Sequence, residues 1–175
     1  MPQNVPSFAE LLDRATESAV HLEMRDSYGV AGEADAFAHW QATGDVDDDP
    51  ESPYWAPWTA LVRSAIMRGV TVRRARIVSE PVSEYIRYEH AGTGVNVAAG
   101  EEVRWLPRRR ASDIALPGND FWLFDQRVIR WNHFDGEGAS AGQDVSEDPA
   151  AAQLCAAAFT AVWDRAIPHD EYKIS

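Results

Sequence analysis

The chain has 175 residues, 45% of them hydrophobic, with seven tryptophans and a single cysteine; that suffices for one buried core and excludes a disulfide framework. A formal net charge of −12 argues against direct nucleic-acid binding, because phosphate affinity rests on positive charge and counterion release. No apolar run approaches a membrane span, and the opening MPQNVPSFAELLDRA carries no basic leader ahead of an apolar stretch, so the expectation is a cytoplasmic protein forming a single domain over 1–175 with a tail at 168–175.

The average charge hides a pattern. Residues 1–62 carry 2 basic and 12 acidic side chains, residues 63–110 carry 10 and 5, and residues 111–175 carry 4 and 11. A basic middle between acidic ends either folds against those ends or faces an anionic partner. Arginine supplies every basic residue except Lys173, a bias that suits planar, bidentate pairing with carboxylate or phosphate.

From Ser7 onward, Phe8, Leu11, Leu12, Ala15 and Ala19 recur at helical spacing, and Ser7 with Glu10 forms a capping box. Residues 20–28 alternate Val20, Leu22 and Met24 against His21, Glu23 and Arg25, the period of a half-buried strand that turns His21 away from the core. A short helix over 33–43 carries Phe37 and Trp40 and closes at Gly44. The stretch DVDDDPESPYWAP has four aspartates and three prolines without periodicity, so it reads as an acidic loop covering arginines. It lacks the glycine and offset glutamate of a calcium loop, and no metal is expected there. Residues 58–68 form an amphipathic helix, and Gly69 separates it from the next strand, the layout of an α/β unit.

Chemistry concentrates in GVTVRRARIVSEPVSEYIRYEHAG, residues 69–92. Its first half is β-branched and arginine-rich, the composition of a strand. A helix then starts with Ser79 as N-cap and Pro81 in the first turn, and Gly92 supplies its stop. Arginines converging on a helix N-terminus would hold an anion. The expected ligand-binding residues are Arg74, Arg76, Glu80, Tyr85 and Arg87, and the expected ligand is an anionic small molecule. Val72 and Ile77 fall on opposite parities, so the strand leaves open whether Arg73, or Arg74 and Arg76, face solvent.

After a small-residue loop at 93–99, Glu102 to Leu106 reads as a short strand, followed by Arg108, Arg109 and Arg110. The clearest hairpin is FWLFD, a turn at Gln126 and Arg127, then VIRWNHF. Its turn lacks the preferred Asn-Gly pair, which leaves the register open. DGEGASAGQDVSED follows as a polar loop, then a last helix capped by Asp148 and Pro149, with Cys155 buried in its alanine-rich stripe and Pro168 ending it.

The sequence contains no phosphate loop with its lysine, no dinucleotide fingerprint, no paired-cysteine zinc site, no HExxH and no GxSxG, and no cofactor is expected. Asp125, His133 and Asp135 on the hairpin are the catalytic candidates, since a histidine flanked by carboxylates can serve as a general base. No nucleophile is placed beside them in the sequence.

At HLEMRDSYGV, SEPVSEYIRYE, FWLFDQRVIRW and AVWDRAIPHDEY the chain resembles the actinobacterial family DUF6879, common in Streptomyces, over nearly its whole length. Members of that family are encoded beside helix-turn-helix regulators, so the resemblance implies a regulatory role with such a protein partner. RSAIMRGVTVRRARIVSE followed by FWLFDQRVIRW also resembles one phospholipase D-like half-domain, but NHFD stands where the catalytic HxK motif would be, and the only lysine is Lys173. The expected fold is α/β (α+β), one domain with a central mixed sheet flanked by helices. The expected function is a non-catalytic regulatory or adaptor role. The rival is an enzyme acting on a phosphorylated or nucleotide-like ligand, with Arg74, Arg76 and Arg87 as clamps and His133 as base.

Overall fold

Seven strands form one mixed sheet in the computed structural model, which describes residues 5–175; the first four residues of the N-terminal opening lie outside the described residues. The strands are β1 (Ser18–Glu23), β2 (Thr71–Val78), β3 (Glu102–Pro107), β4 (Asp120–Phe124), β5 (Val128–Phe134), β6 (Ser140–Ser146) and β7 (Ile167–Pro168). Their spatial order is β6-β5-β4-β1-β2-β3-β7. β2 runs parallel to β1 and β3, and every other pairing is antiparallel. The α/β fold with a central mixed sheet is therefore as expected.

Parallel neighbours need long crossovers, and helices supply them. α2 (Ala34–Thr43) and α3 (Ala56–Met67) lie between β1 and β2, and α4 (Glu84–Ala99) lies between β2 and β3. α1 (Phe8–Arg14) precedes β1 with its Ser7–Glu10 capping box formed as expected, and α5 (Pro149–Arg165) starts at Asp148, whose carboxylate accepts the Ala151 N–H. One sheet face carries Leu22, Ala75, Ile77, Leu123 and Ile129 against Cys155, Phe159 and Val162 of α5. On the other, Ala19, Val72, Trp122 and Phe124 meet α1 and α3, while Val78, Val103 and Trp105 meet α4. With both faces covered, each fully buried Leu, Ile or Phe contributes about 1.5–3 kcal/mol over its exposed state.

Four local expectations are corrected. The central helix starts at Ser83, whose hydroxyl accepts the Ile86 N–H, because Ser79 is held by Asp26 instead. Gly92 does not stop it: the helix runs through the expected 93–99 loop to Gly100, which adopts a φ of +106° that favours glycine. Within 135–148, residues 140–146 are not loop but an exposed edge strand, paired with β5 despite its poor strand composition. The tail is docked: Ile167 and Pro168 pair with β3, and Tyr172 is buried with its hydroxyl donating to Glu80 at 2.8 Å.

Candidate functional site

Period-two alternation puts Arg74 and Arg76 on the α4 side of β2, between Val72 and Val78. That side is not solvent. Their side chains are 11% and 6% exposed, whereas Arg73 on the opposite parity is 39% exposed. The parallel register sets His21 beside Arg74 and Glu23 beside Arg76. His21 does point away from the Leu22 layer, but into this second covered face, where it stacks on Trp122 with ring centroids 4.4 Å apart.

The two guanidiniums share three carboxylates: Glu101 is buried, and Glu23 and Glu89 are 14% and 16% exposed. Arg74 reaches Glu101 at 2.6 Å and Glu23 at 3.0 Å; Arg76 reaches the other Glu23 oxygen at 2.7 Å and Glu89 at 2.8 Å. Both Arg76 contacts lie off the N–H direction, so they are ion pairs that leave Nε–H and Nη1–H without an aligned acceptor among the described residues. Asn96 donates to the remaining Glu101 oxygen at 2.9 Å, and Arg76 lies over the Trp105 ring at 4.9 Å. Burial opposes ionisation of Glu23, yet Arg76 and Arg74 overcome it and hold its carboxyl well below the usual carboxylate range. Arg74 is likewise disfavoured by burial and rescued by Glu101 and Glu23, so its pKa is raised.

A cavity of about 580 Å³ opens above this floor. α4 lines it with Tyr85, Tyr88, Glu89, Gly92 and Asn96, at offsets of three, four, seven and eleven from Tyr85, the stripe of a single helix face. A Cβ at Gly92 would sit 3.6 Å from Val46 and 4.0 Å from Trp55, ordinary contact distances, so the acidic loop packs against the helix here without requiring a glycine. Glu33, Tyr28 and Tyr54 add polar groups. Tyr85 donates to Glu33 at 2.8 Å, Tyr54 is 3.3 Å from the other Glu33 oxygen, and Tyr28 donates to Asp120. Burial and then the charge of Glu89 raise the Glu33 carboxyl, and burial raises that of Asp120. Burial with Glu89 and Glu33 pushes the Tyr85 phenol up as well.

Of the expected ligand residues, Arg74, Arg76 and Tyr85 meet in this cavity, and Glu80 and Arg87 do not line it. Arg87 lies on the exposed side of α4, where it donates to Ser175 O at 3.3 Å. Glu80 takes the Tyr172 hydroxyl and lines a smaller hollow of about 270 Å³ with Arg108. The strand-to-helix junction expected to hold an anion is filled by the chain itself: Asp26 accepts the Ser79 N–H and hydroxyl, each at 2.7 Å, with Arg108 at 3.6 Å.

The hairpin candidates are not brought together. Asp125 sits in the turn after β4, accepting N–H groups of Thr16, Glu17 and Ser18, and His133 stands about 17 Å further along, near the end of β5. His133 pairs with Asp144 at 2.9 Å on the exposed edge, and Asp135 accepts the N–H groups of Glu137 and Ala139. Among the described residues, no cluster of His, Cys, Asp and Glu is placed to hold a metal, and no helix is long and apolar enough to cross a membrane.

Sequence reading missed His21, Glu23, Glu101 and Asp120 as site residues. The available signal was charge within strands that are otherwise apolar, as at Glu23 after Val20 and Leu22, because a buried charge demands a partner.

Among solved structures, that of TrmBL2, an archaeal chromatin protein with a novel mode of DNA binding, is similar at a TM-score of 0.48 and 15% identity, covering 91% of this chain and 48% of that one. The chain thus spans about half the length of that neighbour. No curated protein matches the sequence, and the phospholipase D-like likeness is not confirmed. The sequence profile of DUF6879, a domain of unknown function, matches residues 6–174. The chain belongs to the DUF6879 family.

Proposed function

We propose that the chain is a cytoplasmic, non-catalytic regulatory or adaptor domain that holds a small ligand in the cavity against α4 and acts through a protein partner. The observation that carries this reading is the cavity itself: about 580 Å³, in the range of small-molecule sites, with a rigid sheet as floor and the 45–55 loop as wall. Its charged floor is internally paired, which pre-organises the site, and Trp55, Trp58 and Tyr88 supply apolar area. The partner suggested by the family neighbourhood is a helix-turn-helix regulator, to which DNA binding would belong, given the chain's charge of −12. An enzyme acting on a phosphorylated or nucleotide-like ligand would need Arg87 and His133 at the cavity, and both lie outside its lining.

Thermal unfolding across a panel of small metabolites tests the reading. A compound that binds only the folded state stabilises it by about 2.7 kcal/mol at a hundred times its Kd. We expect at least one compound to raise the midpoint, and Trp58→Ala to remove that shift. A panel that moves nothing, with the protein folded and monodisperse, sinks the proposal.

A further inference from the structure

We infer that the cavity takes an organic cation, an ammonium, amidinium or guanidinium group on an apolar body, with a hydrogen-bond acceptor at the end that meets Arg76. This rests on the reading of the cavity as a ligand site and names the ligand's charge.

Arg74 and Arg76 have no charge to spare, since Glu23, Glu89 and Glu101 already outnumber them. An anion at this floor would have to displace a buried carboxylate and leave it uncompensated, the costly case for buried charge. Five further carboxylates line the cavity: Asp35, Asp45 and Asp47 are exposed at its rim, while Glu33 and Asp120 lie deeper, and among the described residues neither of these two has a cationic partner within 4.0 Å. Glu33 is held by the phenols of Tyr54 and Tyr85, and Asp120 by the Tyr28 phenol and by the Met24 N–H, which donates to its other oxygen at 3.0 Å. The Tyr85 hydroxyl stands 2.8 Å from Glu33 and 3.3 Å from Glu89. It has one proton to donate and so cannot satisfy both carboxylates. The upward shift of Glu33, caused by burial and by Glu89, is the electrostatic counterpart of that missing positive charge.

Two independent features point to a ligand. Arg76 is 5% exposed and lines the cavity with two N–H groups that no acceptor meets in line. The walls include Tyr54, Trp55, Trp58, Tyr88 and Phe134, and aromatic faces attract cations through the ring quadrupole, most strongly for tryptophan. A cation placed by Glu33 would replace the absent counter-ion while its apolar body covers these rings.

The test uses three probes of similar shape on the full chain: tyramine as cation, its phenol oxygen the acceptor for Arg76, 4-(2-hydroxyethyl)phenol as neutral analogue and phenyl phosphate as anion, with 4-hydroxybenzamidine as a second cation. Binding is read by tryptophan fluorescence and by calorimetry. The cations should bind at least about tenfold more tightly than the neutral analogue, and Glu33→Gln should remove that preference, a difference worth 1.4 kcal/mol. Tyr54→Ala, at a half-exposed position, provides a second variant and should weaken every probe, the cations most, since it removes one of the rings that attract them. Binding of phenyl phosphate with the cations silent, or equal binding of cation and alcohol, overturns the charge assignment and leaves a ligand cavity standing. If no probe binds, the charge assignment falls; if the metabolite panel also moves nothing, the ligand-site reading falls with it.

Discussion

Glu23 stands level with Arg76 across the parallel β1–β2 pair, one carboxylate oxygen 2.7 Å from Arg76 Nε and the other 3.0 Å from Arg74 Nη1. A single acidic side chain from the acidic N-terminal third thus bridges two arginines of the basic middle, inside the sheet's covered face. The uneven charge map is in part an intramolecular pairing, in which the acidic N-terminal third and the basic middle find each other through strand register.

Removing that bridge should be expensive. Glu23→Gln leaves two buried guanidiniums short of their shared partner, and we expect a loss of about 3–5 kcal/mol of stability by urea denaturation. The pH dependence has the same origin. Because the folded Glu23 carboxyl is depressed below its unfolded value of about 4.3, its stabilisation is present above that pH and is lost as the pH falls through the lower, folded value. The wild type should therefore lose stability steeply below about pH 4, and the Gln variant should lack that component.

The docked tail should respond at milder acidity. Trp105 Nε1–H donates to His169 Nδ1 at 3.1 Å, which requires that nitrogen to be unprotonated. Burial, then His90 and Arg76, bring the imidazole down to about 4, below an unfolded value of about 6.5. A depressed folded value means stability is full above about 6.5 and declines as the pH falls toward 4. The residue is partly exposed, so solvent screening limits the effect to about 1 kcal/mol or less. Urea midpoints of wild type and His169→Gln at pH 7 and pH 4.5 should converge at the lower pH.

Asp125 has a folding role that a stability measurement can isolate. It occupies a turn position at φ +49° and anchors the backbone N–H groups of Thr16, Glu17 and Ser18 at 3.0, 2.8 and 2.9 Å. Asp125→Ala should cost about 1–3 kcal/mol, because three donors lose a charged acceptor. An unchanged unfolding curve would contradict that assignment.

His133 should matter little. Its pairing with Asp144 is exposed and joins diagonal positions of β5 and β6, the kind of pair worth about 1 kcal/mol at most. His133→Ala is expected to change stability by no more than about 0.5–1 kcal/mol and to leave any ligand-induced midpoint shift intact. Loss of that shift would place His133 in the ligand response and reopen the enzymatic alternative.

Much of the fold is legible in the sequence because it is written locally. The Ser7–Glu10 capping box, the Asp148 cap, the Gly44 stop and the FWLFD/VIRWNHF hairpin each depend on residues a few positions apart, and each forms, the hairpin with Asp125 in its turn and not in the strand as read. The same local rules misplaced the start and end of α4. Ser79 is an adequate cap in isolation, but Asp26, 53 residues earlier, takes its hydroxyl and N–H. Gly92 is an adequate stop, but the helix continues beneath Val46 and Trp55, and its orphan carbonyls are met at Gly100 instead.

The sequence by itself determined the alternation of strands and helices, the covered sheet and the arginine-rich strand at its centre, since period, capping and composition act within a few residues. Tertiary structure alone decided what those arginines do. Strand register brought Glu23 to Arg74 and Arg76, the turn at Gly100 brought Glu101 beneath them, and the uninterrupted α4 aligned Tyr85, Glu89 and Asn96 over the same floor. A charge buried in a low-dielectric interior takes its partner from whatever the fold sets beside it, and that neighbour is fixed by pairing across the sheet, not by distance along the chain.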